Sequence, residues 1–268
     1  MKIKHSWFLF IFSFLFLIPL GVFTGISSAK GTLIVFGKID ALTLALYMIA
    51  TSFIAISIIS ALSSDSKFDN NQVKANFLLT IAYFIAGAAM FCCGLWNFSS
   101  IKDFDLFFVF LSIFGILGGL VFIVFGVTSI LGKNLYDIFP YSSIFPLSWS
   151  FLHLYDYHLA AGKQQFEELE IFNVLYFGLL VIFFLYQSRI STNVFFKGQK
   201  IKGKVTVFGM SGALCCLFFA CLEISKQLSS NSIRAGVFFS KLVDLSVALY
   251  AIVFVWSITA TEKKNSLK

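Results

Sequence analysis

Charged residues are scarce in this chain of 268 residues. Asp, Glu, Lys and Arg together make up 12% of the sequence, whereas hydrophobic residues make up 59% and the mean hydropathy is +0.90. Soluble globular domains carry about 25% charged residues, so this composition excludes a water-soluble fold. The chain is therefore expected to be an integral membrane protein whose main partner is the lipid bilayer.

The sequence signatures of common enzymes and metal sites are also missing. The five cysteines form no CxxC pair, which leaves no zinc or redox motif of that type. No HExxH, GxSxG or P-loop sequence occurs, so zinc protease, α/β-hydrolase and NTPase motifs are absent. The sequence thus indicates no cofactor, no metal ligand set and no catalytic residue, and it favours a protein that is not an enzyme.

Eight apolar stretches dominate what is present. Most approach the roughly 20 residues that an α-helix needs to cross about 30 Å of hydrocarbon. They predict an all-α, polytopic transmembrane bundle of eight helices in a single domain, 1–268. Paired cysteines in the third and seventh stretches suggest a duplication with halves 1–131 and 132–268. The stretches are 7–26, 41–62, 77–96, 106–131, 142–161, 171–187, 205–224 and 235–258.

The distribution of basic residues predicts the orientation. With the N-terminus inside, thirteen lysines and arginines fall on the cytoplasmic side and six on the outer side, as short cytoplasmic loops require. The fifth stretch is the weakest, since it contains His153, Asp156 and His158. Without it, either the basic segment 189–204 or the N-terminal tail would lie outside. Eight crossings with both termini cytoplasmic therefore fit better than seven.

The first stretch also imitates a secretory signal, because Lys2 and Lys4 precede it and Ser27-Ser28-Ala29 follows it. Its apolar run continues to Ile26, which favours an uncleaved membrane anchor.

The net charge of +7 does not indicate nucleic acid. The basic residues lie in loops and tails beside apolar stretches, where attraction to anionic lipid headgroups is a sufficient explanation. The densest cluster, 195–204, is a topogenic loop or a docking site for a cytoplasmic protein partner.

Small residues in the fourth stretch predict close helix packing. Gly115, Gly119 and Gly126 would let another helix backbone approach, which is how helices associate in lipid. The sequence leaves open whether that helix belongs to this chain or to a second copy in a homo-oligomer.

Six ionisable residues within or at the ends of apolar stretches are the candidate functional residues. Each charge costs at least about 2.5–3.5 kcal/mol at mid-membrane, so its retention calls for an explanation. Under the predicted orientation all six fall in the outer leaflet. The predicted solute-binding residues are His153, Asp156, His158, Glu223, Lys241 and Asp244.

Several interpretations of these residues remain open. Lys241 and Asp244 have i,i+3 spacing and could simply neutralise each other, and the fifth helix could lie tilted near the interface. If an outward-facing pocket exists, it could bind or transport a small polar solute, or His153, Asp156 and His158 could act as a metal or general-base set. In the alternative function, polar residues only fix helix pairing in a structural or regulatory subunit that works through a protein partner.

Part of the C-terminal half resembles a known group of proteins. The segments are Phe145-Pro146-Leu147-Ser148-Trp149 with His153-Leu154, then Phe172-Asn173-Val174-Leu175, Phe183-Phe184-Leu185-Tyr186-Gln187-Ser188-Arg189 and Asp244-Leu245-Ser246-Val247-Ala248-Leu249-Tyr250. They resemble uncharacterised multi-pass membrane proteins of clostridial Gram-positive bacteria. The resemblance implies a bacterial plasma membrane and a multi-helix fold, and it assigns no functional residue.

Overall fold

The computed structural model of the protein describes residues 3–32, 35–36, 39–62, 76–101, 105–132, 139, 141–163, 168–191, 201–231 and 233–265. Within these residues it contains eight helices, which confirms the all-α prediction. They are α1 (Ile3–Ala29), α2 (Ala41–Leu62), α3 (Phe77–Ser99), α4 (Leu106–Ile130), α5 (Ile144–Lys163), α6 (Glu168–Ser191), α7 (Ile201–Ser229) and α8 (Ala235–Asn265). Between α1 and α2, β1 (Val35–Phe36) and β2 (Ile39–Asp40) form a short antiparallel pair.

Seven of the described helical segments are long and apolar enough to cross a membrane. They belong to every helix except α5, so the protein is a multi-pass membrane protein. Helix α5 spans 20 residues, about 30 Å at ~1.5 Å per residue, and contains His153 and Asp156.

Polar caps fix where several helices begin. Asp40 precedes α2 and accepts hydrogen bonds from the Thr43 amide (2.7 Å) and hydroxyl (2.8 Å). Asp105 precedes α4 and accepts from the Phe107 amide at 2.9 Å. These side chains accept hydrogen bonds from backbone amide groups that have no partner within the helix.

The eight helices alternate in direction. Thr80 of α3 hydrogen-bonds to Ser129 near the end of α4, whereas Gly94 lies against Ile116, so these two helices are antiparallel. Similar paired contacts make α4 antiparallel to α5, α6 to α7, α7 to α8 and α3 to α8, while α1 runs parallel to α7. Both described chain ends therefore lie at one end of the bundle, which the count of basic residues assigns to the cytoplasm.

Six helices form a closed ring. Helices α3 to α8 pack in chain order, each against the next, and α8 closes the ring by packing against α3. Helices α1 and α2 lie outside the ring, against each other and against α7. The side of α1 that meets α7 carries Gly21 and Gly25, where an added Cβ would collide with the Phe218 and Leu222 carbonyl oxygens.

The glycines of α4 pack inside this chain. A Cβ on Gly119 would lie 2.7 Å from the Gly87 carbonyl oxygen of α3, and one on Gly126 would lie 2.9 Å from the Phe84 ring. Gly115 instead faces Trp149 of α5 at 3.5 Å. The predicted contact faces are thus occupied by α3 and α5.

An aromatic layer fills the middle of the ring, formed by Tyr83 of α3, Phe122 of α4, Phe184 of α6 and Tyr250 of α8. The ring of Tyr250 lies 4.8 Å from that of Phe122 and 5.1 Å from that of Tyr83, and Phe122 meets Phe184 at 6.1 Å. All four side chains are buried, so aromatic rings from four of the six helices meet in the middle of the ring.

Helix α5 begins halfway along α4. Pro146, in its first turn, lies 3.6 Å from the position that a Cβ on Gly118 would occupy. Gly118 lies about 18 Å along α4 from Leu106. Tyr155 packs on Phe107 in the first turn of α4, with ring centroids 5.7 Å apart. The described side chains of α5 therefore cover the outer half of α4.

Candidate functional site

A buried ion pair lies in the outer half of the ring. The Lys241 ammonium donates to the Asp244 carboxylate at 2.9 Å, and the side chains are 5% and 3% exposed. The same ammonium lies 4.2 Å from the centroid of the Phe219 ring of α7, a cation–π contact. Both residues come from one helical turn of α8, so the pair is preformed by the i,i+3 spacing.

Side chains from four other helices surround this pair. The Cys216 thiol of α7 donates to the Asp244 carbonyl oxygen at 2.9 Å, and Tyr176 of α6 and Cys93 of α3 lie within electrostatic range of Asp244. His153 and Tyr157 of α5 lie within the same range of Lys241. The pair thus faces the interior of the ring. We call this set the polar cluster, formed by Cys93, His153, Tyr157, Tyr176, Cys216, Lys241 and Asp244.

Aromatic stacking positions the side chains of α5. The His153 ring stacks on Phe177 of α6 with centroids 4.8 Å apart and an interplanar angle of 13°. Tyr157, one turn later, stacks on the same ring at 5.6 Å, and Trp149, one turn earlier, meets it edge-on at 5.8 Å. His153 and Tyr157 are half-buried, so they form the outer rim of the polar cluster.

Tyr176 and Asn173 of α6 each have a buried polar side-chain atom that makes no hydrogen bond within the described part of the chain. The Tyr176 hydroxyl lies against the Cys216 thiol but makes no hydrogen bond of normal geometry, and Asn173 Oδ1 has no partner either. Their side chains are 1% and 6% exposed, and the spacing of three residues places them on neighbouring sides of one helical turn. Buried polar groups are normally paired, so the Tyr176 hydroxyl keeps an unused hydrogen-bonding capacity beside the ion pair.

The predicted site residues divide into four groups. The structure brings His153, Lys241 and Asp244 together in the polar cluster. Glu223, half-buried near the outer end of α7, lies within electrostatic range of Tyr157 at the rim. Asp156 points to another side of α5, where its ionisable neighbour across the helix boundary is Asp105. The His158 side chain lies outside the described residues.

Sequence reasoning missed Tyr157, Tyr176, Asn173 and Cys216. Tyrosine and cysteine are ordinary residues in apolar helices, so nothing distinguished these from their neighbours. Only the packing of the helices shows that Tyr157, Tyr176 and Cys216 lie near the ion pair. For Asn173 a signal existed, since an amide in an apolar stretch is itself unusual.

The described side chains include no group of three or more His, Cys, Asp or Glu residues that could hold a metal ion. His153 is enclosed by aromatic rings rather than by other ligating groups. The polar cluster offers charge pairing and hydrogen bonding.

No protein-family model, no curated protein and no solved structure matches this chain. Its function has to be inferred from the chemistry of the polar cluster.

Proposed function

We propose that this protein binds a small polar solute at the polar cluster and moves it across the plasma membrane of a bacterium. The observation that carries the proposal is the buried Lys241–Asp244 pair, which faces the interior of the ring of six helices. If pairing were the whole purpose of these residues, apolar side chains of similar size would serve as well or better in a membrane interior.

The arrangement of the ring supports access from the outer side. The half-buried rim residues His153, Tyr157 and Glu223 lie toward the outer ends of α5 and α7. On the other side, Tyr250 lies two turns beyond Asp244 on α8, about 9 Å deeper, and belongs to the aromatic layer. A buried polar site that lies close to one side of the membrane and is separated from the other by a packed aromatic layer suits alternating access, in which the outer side opens to admit the solute.

The thiol of Cys216 provides a direct test. In a variant that retains Cys216 and has the other four cysteines replaced by alanine, the thiol should react with a small, charged thiosulfonate added from outside to sealed vesicles. Cys216 is enclosed in this structure, so reaction with a membrane-impermeant reagent requires the polar cluster to open to external water.

The matched control is a variant that retains only Cys92. That thiol is exposed on the lipid-facing side of α3, where no water reaches it, and it should stay unmodified. If Cys216 reacts only after the protein is denatured, the polar cluster is sealed. That result would refute solute binding and favour a structural or regulatory membrane subunit.

A further inference from the structure

The charges of the polar cluster select among classes of solute. The Lys241–Asp244 pair presents one cationic and one anionic group at 2.9 Å, both nearly excluded from solvent. The nearest other members, His153, Tyr157, Tyr176 and Cys216, belong to residue types that are neutral or close to neutral at pH 7. A solute that binds between the two charges must therefore replace both halves of their interaction.

A solute with a single charge cannot do this. An anion that paired with Lys241 would leave the Asp244 carboxylate buried without its partner. A cation that paired with Asp244 would likewise leave the Lys241 ammonium buried without its partner. Leaving one member of a buried pair uncompensated is strongly unfavourable. A neutral polyol would offer only hydrogen bonds to two groups that already satisfy each other.

A zwitterion avoids this cost. Its carboxylate can accept from the Lys241 ammonium while its own ammonium donates to the Asp244 carboxylate, so that each buried charge keeps an opposite charge beside it. The Tyr176 hydroxyl of the polar cluster, which has no hydrogen-bond partner among the described residues, fits the same ligand because it can donate to a carboxylate. We infer that the solute is a small zwitterion of the amino-acid type; this inference rests on the proposed function.

The aromatic surroundings limit the size of the ligand. Phe219 holds the Lys241 ammonium on one side, and Phe177 and Trp149 line α5 and α6 beside His153. The aromatic layer closes the ring about 9 Å below Asp244. An apolar side chain of a few carbons would find aromatic contacts here, whereas a long peptide would not fit.

The test compares probes of matched size on the full-length protein in detergent. The thermal midpoint is measured with L-alanine, then with propionate, which lacks the ammonium, with ethylammonium, which lacks the carboxylate, and with the neutral lactamide. L-leucine, 4-methylpentanoate and 3-methylbutylammonium form a second set with a larger side chain. We expect at least one zwitterion to raise the midpoint saturably, with a Kd at least tenfold below those of its singly charged analogues.

A double variant, Lys241→Met with Asp244→Leu, serves as the control. Replacing both partners by apolar residues of similar volume leaves no buried charge and should preserve folding, yet it should weaken zwitterion binding at least a hundredfold. Equal binding to this variant would overturn the inference.

The remaining outcomes separate the two proposals. Stabilisation by lactamide or by a singly charged probe, but by neither zwitterion, would overturn the zwitterion assignment and leave the proposed function intact. If no probe stabilises the protein but Cys216 is labelled from outside, the zwitterion assignment is also overturned and the proposed function is again unaffected. Failure of the proposed function would instead appear as an unreactive Cys216.

Discussion

The Lys241–Asp244 pair shows how two charges can persist in an otherwise apolar helix. Their spacing brings them together within one turn, and the Phe219 ring covers the ammonium. Because the charges neutralise each other, the cost of burial falls well below that of two isolated ions. A pair of this kind allows two charged side chains to remain inside a membrane-spanning helix while the helix stays folded.

At the residue scale, Asp40 provides a prediction about pH. Hydrogen bonds from the Thr43 amide and hydroxyl hold the pKa of this carboxyl group below its ordinary value. The stabilisation that they add is therefore complete at neutral pH and is lost as the pH falls below about 4 and through the lowered pKa.

Replacing Asp40→Ala should lower the free energy of unfolding by about 1 kcal/mol at pH 7, measured by thermal or chemical unfolding in detergent. The Asp40→Asn variant keeps a capping oxygen, so it should lose less stability than the alanine variant at neutral pH. Because asparagine does not titrate, this variant should not show the loss of stabilisation below about pH 4. An alanine variant as stable as the wild type at pH 7 would contradict this role for the cap.

The charged members of the polar cluster could be found from the sequence, whereas its uncharged members could not. Lys241 and His153 are conspicuous because a membrane span rarely contains ionisable groups. Tyr176 and Cys216 are not conspicuous, and their role depends on which helices α6 and α7 meet. The position of Asp156 beside Asp105 was equally hidden, because it depends on the rotation of α5 about its own axis.

At the scale of elements, helix existence followed from hydropathy, but helix ends did not. The seventh apolar stretch was predicted as 205–224, whereas α7 spans Ile201–Ser229. Apolarity ends where the hydrocarbon ends, but backbone hydrogen bonding continues into the polar interface. The close approach of α1 to α7 at Gly21 and Gly25 was not anticipated, since isolated glycines do not identify their partner.

The contact between α3 and α4 gives an element-scale prediction. In Gly119→Ala, the added methyl group would meet backbone atoms of Gly87 and Phe91, so the two helices would have to separate. We expect a loss on the order of 2 kcal/mol in the free energy of unfolding, measured by the same unfolding assay.

The matched control for that substitution is Gly178→Ala. Gly178 is also within a helix, but nothing lies within 4 Å of the position of its Cβ. Its replacement should leave stability unchanged or raise it slightly. Equal effects of the two substitutions would show that the α3–α4 contact is not tight.

At the scale of the whole molecule, the alternation of helix directions agrees with the orientation that the basic residues predicted. The ring of α3 to α8 and the position of α1 and α2 outside it could not be predicted, because apolar helices carry little information about which neighbour they contact. The duplication with halves 1–131 and 132–268 stays a prediction.

The depth of α5 gives a prediction for the molecule in its membrane. Spin labels at Ile144→Cys and Tyr155→Cys, each in a background without other cysteines, should differ in depth by about 16 Å, with Ile144 near the bilayer centre. Both native side chains are exposed on the surface of the bundle, and the Tyr155 substitution removes only the ring contact with Phe107. A label at Ile144 found at the cytoplasmic headgroups would contradict the half-depth start of α5.

The aromatic layer also bears on how the ring would have to rearrange during transport. Phe122 of α4 meets both Phe184 of α6 and Tyr250 of α8, and Tyr250 meets Tyr83 of α3. If the proposed site opens toward the cytoplasm in another conformation, these packed rings must separate, so their bulk sets how far α4, α6 and α8 have to move apart.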